Sequence, residues 1–111
     1  MTDLRTKHCQ VCEGGVAPLD ADETEQLLAA IPEWQANTGG TEISREYKFT
    51  NFYETMAFVN ALAYIAHRED HHPDLEIGYR RCLVRYSTHA IGGLSENDFI
   101  CASKIDALVE L

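Results

Sequence analysis

The segment of residues 51–68 carries the strongest helix signal in the sequence, and the proline that follows it constrains the rest of the fold. Its apolar residues recur at helical spacing: Phe52, Met56, Val59, Ala63 and Ala66. Pro73 has no place inside a helix and biases His72 toward an extended conformation. We therefore expect the helix to end before His72, which places His71 and His72 on the turn beyond it.

Signals for two more helices and four strands flank this segment. Asp20 and the acids after it favour a helix start, and Ser95 with Asp98 predicts a capping box at the start of the last helix. The predicted strands cover residues 34–37, 42–49, 75–79 and 82–88. Arg45 and Glu46 break the alternation of the second strand. Because helices and strands mix without βαβ alternation, the sequence predicts an α+β fold, a four-stranded antiparallel sheet with helices packed on one face.

Length and charge limit the classes of protein. A chain of 111 residues fits one domain, and we expect an irregular N-terminal segment over residues 1–19 and a single domain over residues 20–111. The formal net charge of −9 argues against direct nucleic-acid binding, which needs a basic surface. The sequence has no apolar run of membrane-spanning length and no signal-peptide core at its start. We therefore expect a cytoplasmic protein without membrane association.

The four cysteines predict no disulfide, because the chain lacks a secretion signal. Cys82 lies in a predicted strand and Cys101 in a predicted helix, so both fit small core positions. The run His8-Cys9-x2-Cys12 has half of a zinc-site spacing. Nothing within that segment completes such a site, so an unstructured tail and a site completed in an oligomer both remain open.

Four of the five histidines lie between positions 67 and 89, and they are the main indication of chemistry. Imidazole gives and takes protons near neutral pH. His71 and His72 follow a helix and His89 follows a strand, so two turns at one edge of the sheet can bring the three together. The cluster indicates proton transfer, metal binding or both. The alternative is a set of exposed turn histidines without a function.

A metal site is the main alternative to proton transfer. His67 and His71 are four residues apart, which is a zinc-like spacing if both lie on one helix. The glutamate of the HExxH pattern is missing, because Glu69 follows Arg68, and the adjacent His71 and His72 point apart. We therefore favour proton transfer without a metal.

Three neighbours of the histidines each have more than one interpretation. Asp98 can orient or charge-stabilise a histidine, cap the last helix, or do both. Asp70 can hydrogen-bond a substrate or merely end a helix. Tyr79 fits the core better than it fits catalysis.

The same residues resemble the signature of the pterin-4a-carbinolamine dehydratases. The matching motifs are Asp70-His71-His72-Pro73, Tyr79, Ser87-Thr88-His89, Gly92-Gly93-Leu94-Ser95 and Asp98, all at the spacing of that family. The resemblance extends less specifically from about residue 20 to the C-terminus. The Cys-x2-Cys segment is similar to the N-terminus of bacterial members.

The resemblance implies a function. Members dehydrate 4a-hydroxytetrahydropterins to quinonoid dihydropterins, which recycles the cofactor of aromatic amino-acid hydroxylases, and they need neither a metal nor an organic cofactor. It also implies the α+β fold and assembly into a homodimer or homotetramer. Two other functions stay open: a non-catalytic dimerisation or binding module that acts as a regulatory partner, and a metal-binding protein that uses histidines.

The resemblance also implies the site. The residues matched to the catalytic positions are His71, His72 and His89. Those matched to the pterin pocket are Asp70, His72, Pro73, Ser87, Thr88 and Ala90, and His67 and Asp98 are expected to support the site. Many members carry glutamate where this chain has His67. Loss of hydroxide from C4a needs a proton on the leaving oxygen, and N5 must release one. We expect His71 and His89 to form the acid–base pair with His72 on the substrate, and the sequence does not settle which one serves the hydroxyl.

Overall fold

A computed structural model of the chain describes residues 3–11 and 16–110, and within them the chain forms three α-helices and four β-strands. The helices are α1 (Ala21–Leu28), α2 (Phe52–Glu69) and α3 (Glu96–Ala107). The strands are β1 (Gln35–Ala36), β2 (Ile43–Lys48), β3 (Asp74–Ile77) and β4 (Arg81–Tyr86). Short 3-10 turns cover Leu4–Thr6 and His89–Ile91. The predicted α+β class is confirmed.

The strands form one antiparallel sheet in the order β1-β2-β4-β3, so β4 lies inside the sheet and β3 on its edge. β2 pairs with β4 from Ile43 opposite Tyr86 to Lys48 opposite Arg81. In the β3–β4 hairpin Asp74 lies opposite Arg85. Because antiparallel partners run in opposite directions, the residues just before β3 and those just after β4 lie side by side at one end of the sheet.

One face of the sheet packs against the helices, and the other face carries charge. The strands and helices share one buried cluster. Its members include Ile43, Phe58, Leu62, Val84, Tyr86, Phe99 and Ile105. Burying each such side chain contributes about 1.5–3 kcal/mol. On the opposite face Arg81 bonds Glu46 at 2.9 Å and Arg85 pairs with Glu76. The helices therefore lie on one face, as predicted.

The buried face of α2 differs from the apolar stripe that the sequence predicts. Thr55, Phe58 and Leu62 are buried, and on a helix they lie roughly a quarter turn from the centre of the stripe that runs from Phe52 to Ala66. Thr55 can enter the core because its hydroxyl lies 3.0 Å from the carbonyl oxygen of Tyr79. The ring of Tyr79 is 63% exposed, so its predicted core position was wrong.

A buried carboxylate explains why Arg45 breaks the strand pattern. Arg45 lies on the inward side of β2, where its Nη1 is 2.7 Å from Asp106 Oδ1. Trp34 Nε1 donates to the same oxygen at 2.9 Å, and the Tyr47 hydroxyl donates to it as well. Burial, together with the neighbouring Asp106, raises the pKa of Tyr47 above its ordinary value. The cluster binds α3 to β2 through fully bonded polar groups.

The structure confirms that Cys82 and Cys101 are buried core residues. The Cys-x2-Cys prediction includes Cys12, which lies outside the described residues. Among residues 3–11 and 16–110, no helix combines the length and the apolar character needed to cross a bilayer.

Candidate active site

The end of α2 sets the positions of the adjacent histidines. Asp70 caps the helix in the left-handed conformation, with φ 51° and ψ 43°. The N–H of His71 then donates to the carbonyl oxygen of Ala66 at 3.1 Å, which folds the chain back over the last turn. The His71 side chain turns inward and is 14% exposed, whereas His72 is exposed. The two imidazoles thus differ in burial.

The chain after β4 brings the third histidine to the same end of the sheet. Thr88 pairs with Gly93 in an isolated β-bridge, and a 3-10 turn over His89–Ile91 closes between them. Gly92 has φ 67°, a left-handed conformation that favours glycine. His89 is exposed on this turn.

An open cleft of about 290 Å³ lies between the two turns. The residues that line it are Val11, Asp70, His71, His72, Ser87, Thr88, His89, Ala90 and Asn97. A volume of this order suits a small bicyclic molecule. His71, His72 and His89, which the sequence places on two separate turns, therefore share one cavity.

Asp98 lies fully buried beneath the cleft and holds His71 from below. His71 Nε2 is 2.6 Å from Asp98 Oδ1. The other oxygen, Oδ2, accepts from the Thr88 hydroxyl at 2.9 Å and from the N–H of Ser95 at 3.0 Å. Ser95 and Asp98 also form the predicted capping box of α3. Asp98 thus makes both of the interactions that the sequence allows: it contacts a histidine and it caps a helix.

The Asp98 carboxylate favours the charged form of His71. Burial by itself lowers the pKa of His71, but the hydrogen bond and the negative charge of Asp98 outweigh it. Cys101 and Asp70 add smaller contributions, and the net pKa of His71 is raised. Its ring stacks on Tyr86 at 5.3 Å between centroids with 13° between the planes. The contact with Asp98 occupies Nε2 of the His71 ring and so fixes the orientation of the imidazole.

Two residues that the sequence assigns to the site lie beside this cleft. His67 is exposed on the last turn of α2, and with Pro73 it lines an adjoining depression of about 410 Å³ that also borders His71 and His72. Because α2 ends at Glu69, His67 and His71 do not share one helix face, so the zinc-like spacing is lost. The described residues hold no group of three His, Cys, Asp or Glu side chains arranged to bind a metal ion.

Sequence reasoning missed two residues of the cleft, Val11 and Asn97. Val11 lies in a segment that the sequence predicts to be irregular, and no periodicity connects it to the site. Asn97 lies two residues after the predicted capping residue, Ser95. Its side chain accepts a hydrogen bond from the backbone N–H of Gln10, 87 positions away. Only the tertiary structure brings these residues to the histidines.

A four-stranded antiparallel sheet with helices on one face, and a cleft lined by three histidines at one end of that sheet, define a small α+β protein. The sequence profile of the family Pterin 4 alpha carbinolamine dehydratase matches residues 17–108. The chain belongs to this family.

Relatives of similar length carry the family name. A protein of Nitrosospira multiformis whose name places it among the pterin-4-alpha-carbinolamine dehydratases is 57% identical over 109 residues, which cover 98% of this chain and 95% of the relative. A similarly named protein of Legionella pneumophila (strain Corby) is 51% identical over 109 residues, with 97% and 96% covered.

Solved structures share the fold. A protein of Brucella melitensis, described as a transcriptional coactivator/pterin dehydratase, superposes with a TM-score of 0.79 at 33% identity and covers 82% of this chain and 97% of its own. A pterin dehydratase-like protein, described as a RuBisCO assembly factor in the alpha-carboxysome, gives a TM-score of 0.62 at 22% identity, with 70% and 90% covered. At that identity the second likeness concerns the fold alone.

Proposed function

We propose that this chain dehydrates a 4a-hydroxytetrahydropterin to the quinonoid dihydropterin by histidine acid–base catalysis. The observation that carries the proposal is the ion pair of His71 with the buried Asp98 at 2.6 Å, beneath a cleft shared with His72 and His89. Family membership supplies the substrate class, and the names of the relatives support the dehydratase activity.

The reaction needs one proton delivered and one removed. The C4a–O bond breaks as the leaving hydroxyl takes a proton, and water departs. N5 loses its proton, and the electron pair of the N5–H bond forms the C4a=N5 double bond. The net change is loss of one water molecule, so neither an oxidant nor a reductant is needed. Each positioned acid or base contributes about 10²–10⁴-fold to such a step.

The electrostatics favour His71 as the acid. Its raised pKa favours the imidazolium more than in an unperturbed histidine, and the imidazolium is the form that can protonate the leaving hydroxyl. His89, exposed across the cleft, then serves as the base for the N5 proton, and the exposed His72 contacts the substrate.

The remaining cleft residues hold the ring. Asp70, Ser87 and Ala90 line the cavity and offer one carboxylate, one hydroxyl and one apolar contact. The hydroxyl of Thr88 is bonded to Asp98 and Ser95, which favours a supporting role. Pro73 contributes by fixing the turn after His72. We place His67 outside the acid–base pair, with an indirect role.

In the cell, the proposed product is the quinonoid dihydropterin that a reductase returns to the tetrahydropterin used by aromatic amino-acid hydroxylases. We propose that the chain works in the cytoplasm as a homodimer or homotetramer, with no metal or organic cofactor. The formal net charge of −9 disfavours nucleic acid as a partner, which is consistent with a small-molecule substrate.

The test is dehydration of chemically prepared 4a-hydroxytetrahydropterin, followed by stopped-flow absorbance with and without a chelator. His71→Gln and His89→Gln are each expected to lower kcat by about 10²–10⁴-fold, and His67→Gln by less than about tenfold. Chelation should leave the rate unchanged. Equal rates in wild type, His71→Gln and His89→Gln would refute the proposal, and chelator-sensitive turnover would favour a metal site.

A binding module is the second candidate, since the Brucella relative is described as a coactivator as well as a dehydratase. The same experiment separates the two functions. A folded wild-type protein without turnover, whose histidine variants bind their partner normally, would favour the module.

A further inference from the structure

The N-terminal segment of residues 3–11, called the strap below, is docked on the domain although the family profile begins only at residue 17. Leu4 is 4% exposed within the core. Lys104 Nζ donates to the carbonyl oxygen of Arg5 at 2.7 Å, and Lys7 pairs with Glu96 at 2.8 Å. The strap therefore runs along α3 as a fixed element.

The end of the strap is bonded to both helices that frame the cleft. The N–H of Cys9 donates to Glu69 Oε1, at the last residue of α2, at 2.8 Å. Asn97, in the first turn of α3, accepts the N–H of Gln10 at 2.9 Å and donates its Nδ2 to the carbonyl oxygen of Gln10 at 2.6 Å. The Glu69 side chain is 6% exposed and Asn97 is 7% exposed, so both anchors are shielded from competing water.

These bonds fix Val11 at the cleft. Val11 lines the same cavity as the three histidines, and it is 89% exposed among the residues that the structure describes. Apart from Ala90, every other residue that lines the cavity is polar or charged. An anchored, uncovered valine gives one wall of this cleft an apolar surface that a flat ring can cover.

We infer that the strap is part of the substrate site and that Val11 is a specificity-determining contact with the bound pterin. The inference rests on the proposed function for the identity of the ligand. Val11 packs against the bicyclic ring or its substituent, and Asn97 and Glu69 act as positioning residues because they hold the backbone that presents Val11.

The comparisons agree with an element added to the common domain. The Nitrosospira relative aligns with 98% of this chain, so it carries a counterpart of nearly all of the strap. The Brucella structure is 97% covered yet accounts for only 82% of this chain. The family profile begins at residue 17, so the strap lies outside the part of the chain that defines the family.

The test uses full-length protein and 7,8-dihydrobiopterin as the probe, with the dissociation constant measured by calorimetry. Val11→Ser is expected to weaken binding by about threefold to tenfold, since apolar contact area is lost. In the dehydration assay KM should rise by a similar factor while kcat stays within about twofold. Val16→Ser is the matched control, because Val16 is also exposed but does not line the cleft. Equal affinity of Val11→Ser and wild type would overturn the inference.

A double-mutant cycle tests the anchoring. Asn97→Leu removes both hydrogen bonds to Gln10, so Val11→Ser should cost less than about twofold in that background. If Val11→Ser weakens pterin binding in folded Asn97→Leu protein as much as it does in wild type, then Asn97 does not position Val11. Should Asn97→Leu fail to melt cooperatively, Glu69→Ala, which releases the N–H of Cys9, takes its place in the cycle.

The outcomes separate this inference from the proposed function. Wild type that binds 7,8-dihydrobiopterin without turning over the carbinolamine refutes the proposed reaction and leaves the binding test decisive. Wild type that fails to bind the pterin at all overturns both.

Discussion

At the scale of single residues, the pair of His71 and Asp98 decides how the site behaves with pH. Asp98→Asn keeps the shape and a hydrogen-bonding oxygen but removes the charge that raises the pKa of His71. We expect the NMR titration midpoint of His71 to move to lower pH, and the alkaline limb of kcat/KM to move with it, because a general acid must be protonated. Asp106→Asn is the control, since Asp106 is a buried carboxylate bonded to Trp34 instead. An unchanged His71 midpoint in Asp98→Asn would contradict this account.

The same pair gives a stability prediction with a definite sign. The folded-state pKa of His71 is raised, so its contribution to stability is complete below the unfolded value of about 6.5 and is lost as pH rises through the folded value. Asp98→Asn should cost about 3 kcal/mol near pH 6 and clearly less near pH 9. Urea unfolding of both proteins at the two pH values measures the difference. A cost that grows with pH would contradict the sign.

At the scale of elements, the residue that ends α2, Asp70, both caps the helix in a strained conformation and lines the cleft. Asp70 holds φ 51°, a conformation that glycine adopts at lower cost. We expect Asp70→Gly to stabilise the fold by about 0.5–1 kcal/mol. It should also raise KM for the pterin, because the carboxylate lines the cleft.

Asp70→Asn separates the two effects of that change. Asparagine tolerates the left-handed conformation but carries no charge, so its stability should stay close to that of wild type while its KM rises. Denaturation curves and initial rates of the three proteins suffice. An Asp70→Gly protein no more stable than wild type would show that the cap carries no strain.

The elements also show what could be predicted from the sequence. The end of α2 followed from Pro73, and the capping box of α3 from Ser95 and Asp98, because both signals are local. The buried side of α2 did not follow from its apolar stripe, since Thr55 takes a core position by bonding a carbonyl from the β3–β4 turn. The strap also escaped prediction, because the anchors at its end join residues 60 and 87 positions apart. Contacts of that range leave no periodic pattern.

At the scale of the whole molecule, the proposed homo-oligomer needs surfaces for contact, and two exposed surfaces fit that need. The apolar stripe of α2 lies beside the core, with Phe52 43% exposed. β3 is an edge strand, and Ile77 on it is 44% exposed. An unpaired edge that ends in an exposed isoleucine can extend a sheet across two copies, and an open helix stripe can pack against its own copy. Two such surfaces allow a dimer through one and a tetramer through both.

Light scattering on the purified chain tests this assembly, and charge adds a second signature. A net charge of −9 on each copy opposes association, so added salt should strengthen it by screening the repulsion. Ile77→Lys and Ala63→Glu place a charge on the edge strand and on the α2 stripe, and each should lower the mass by removing one contact. Gln26→Lys on the exposed side of α1 is the control. A monomer at every salt concentration would refute the predicted homo-oligomer, whereas a tetramer that Ile77→Lys and Ala63→Glu each reduce to a dimer would assign one interface to each surface.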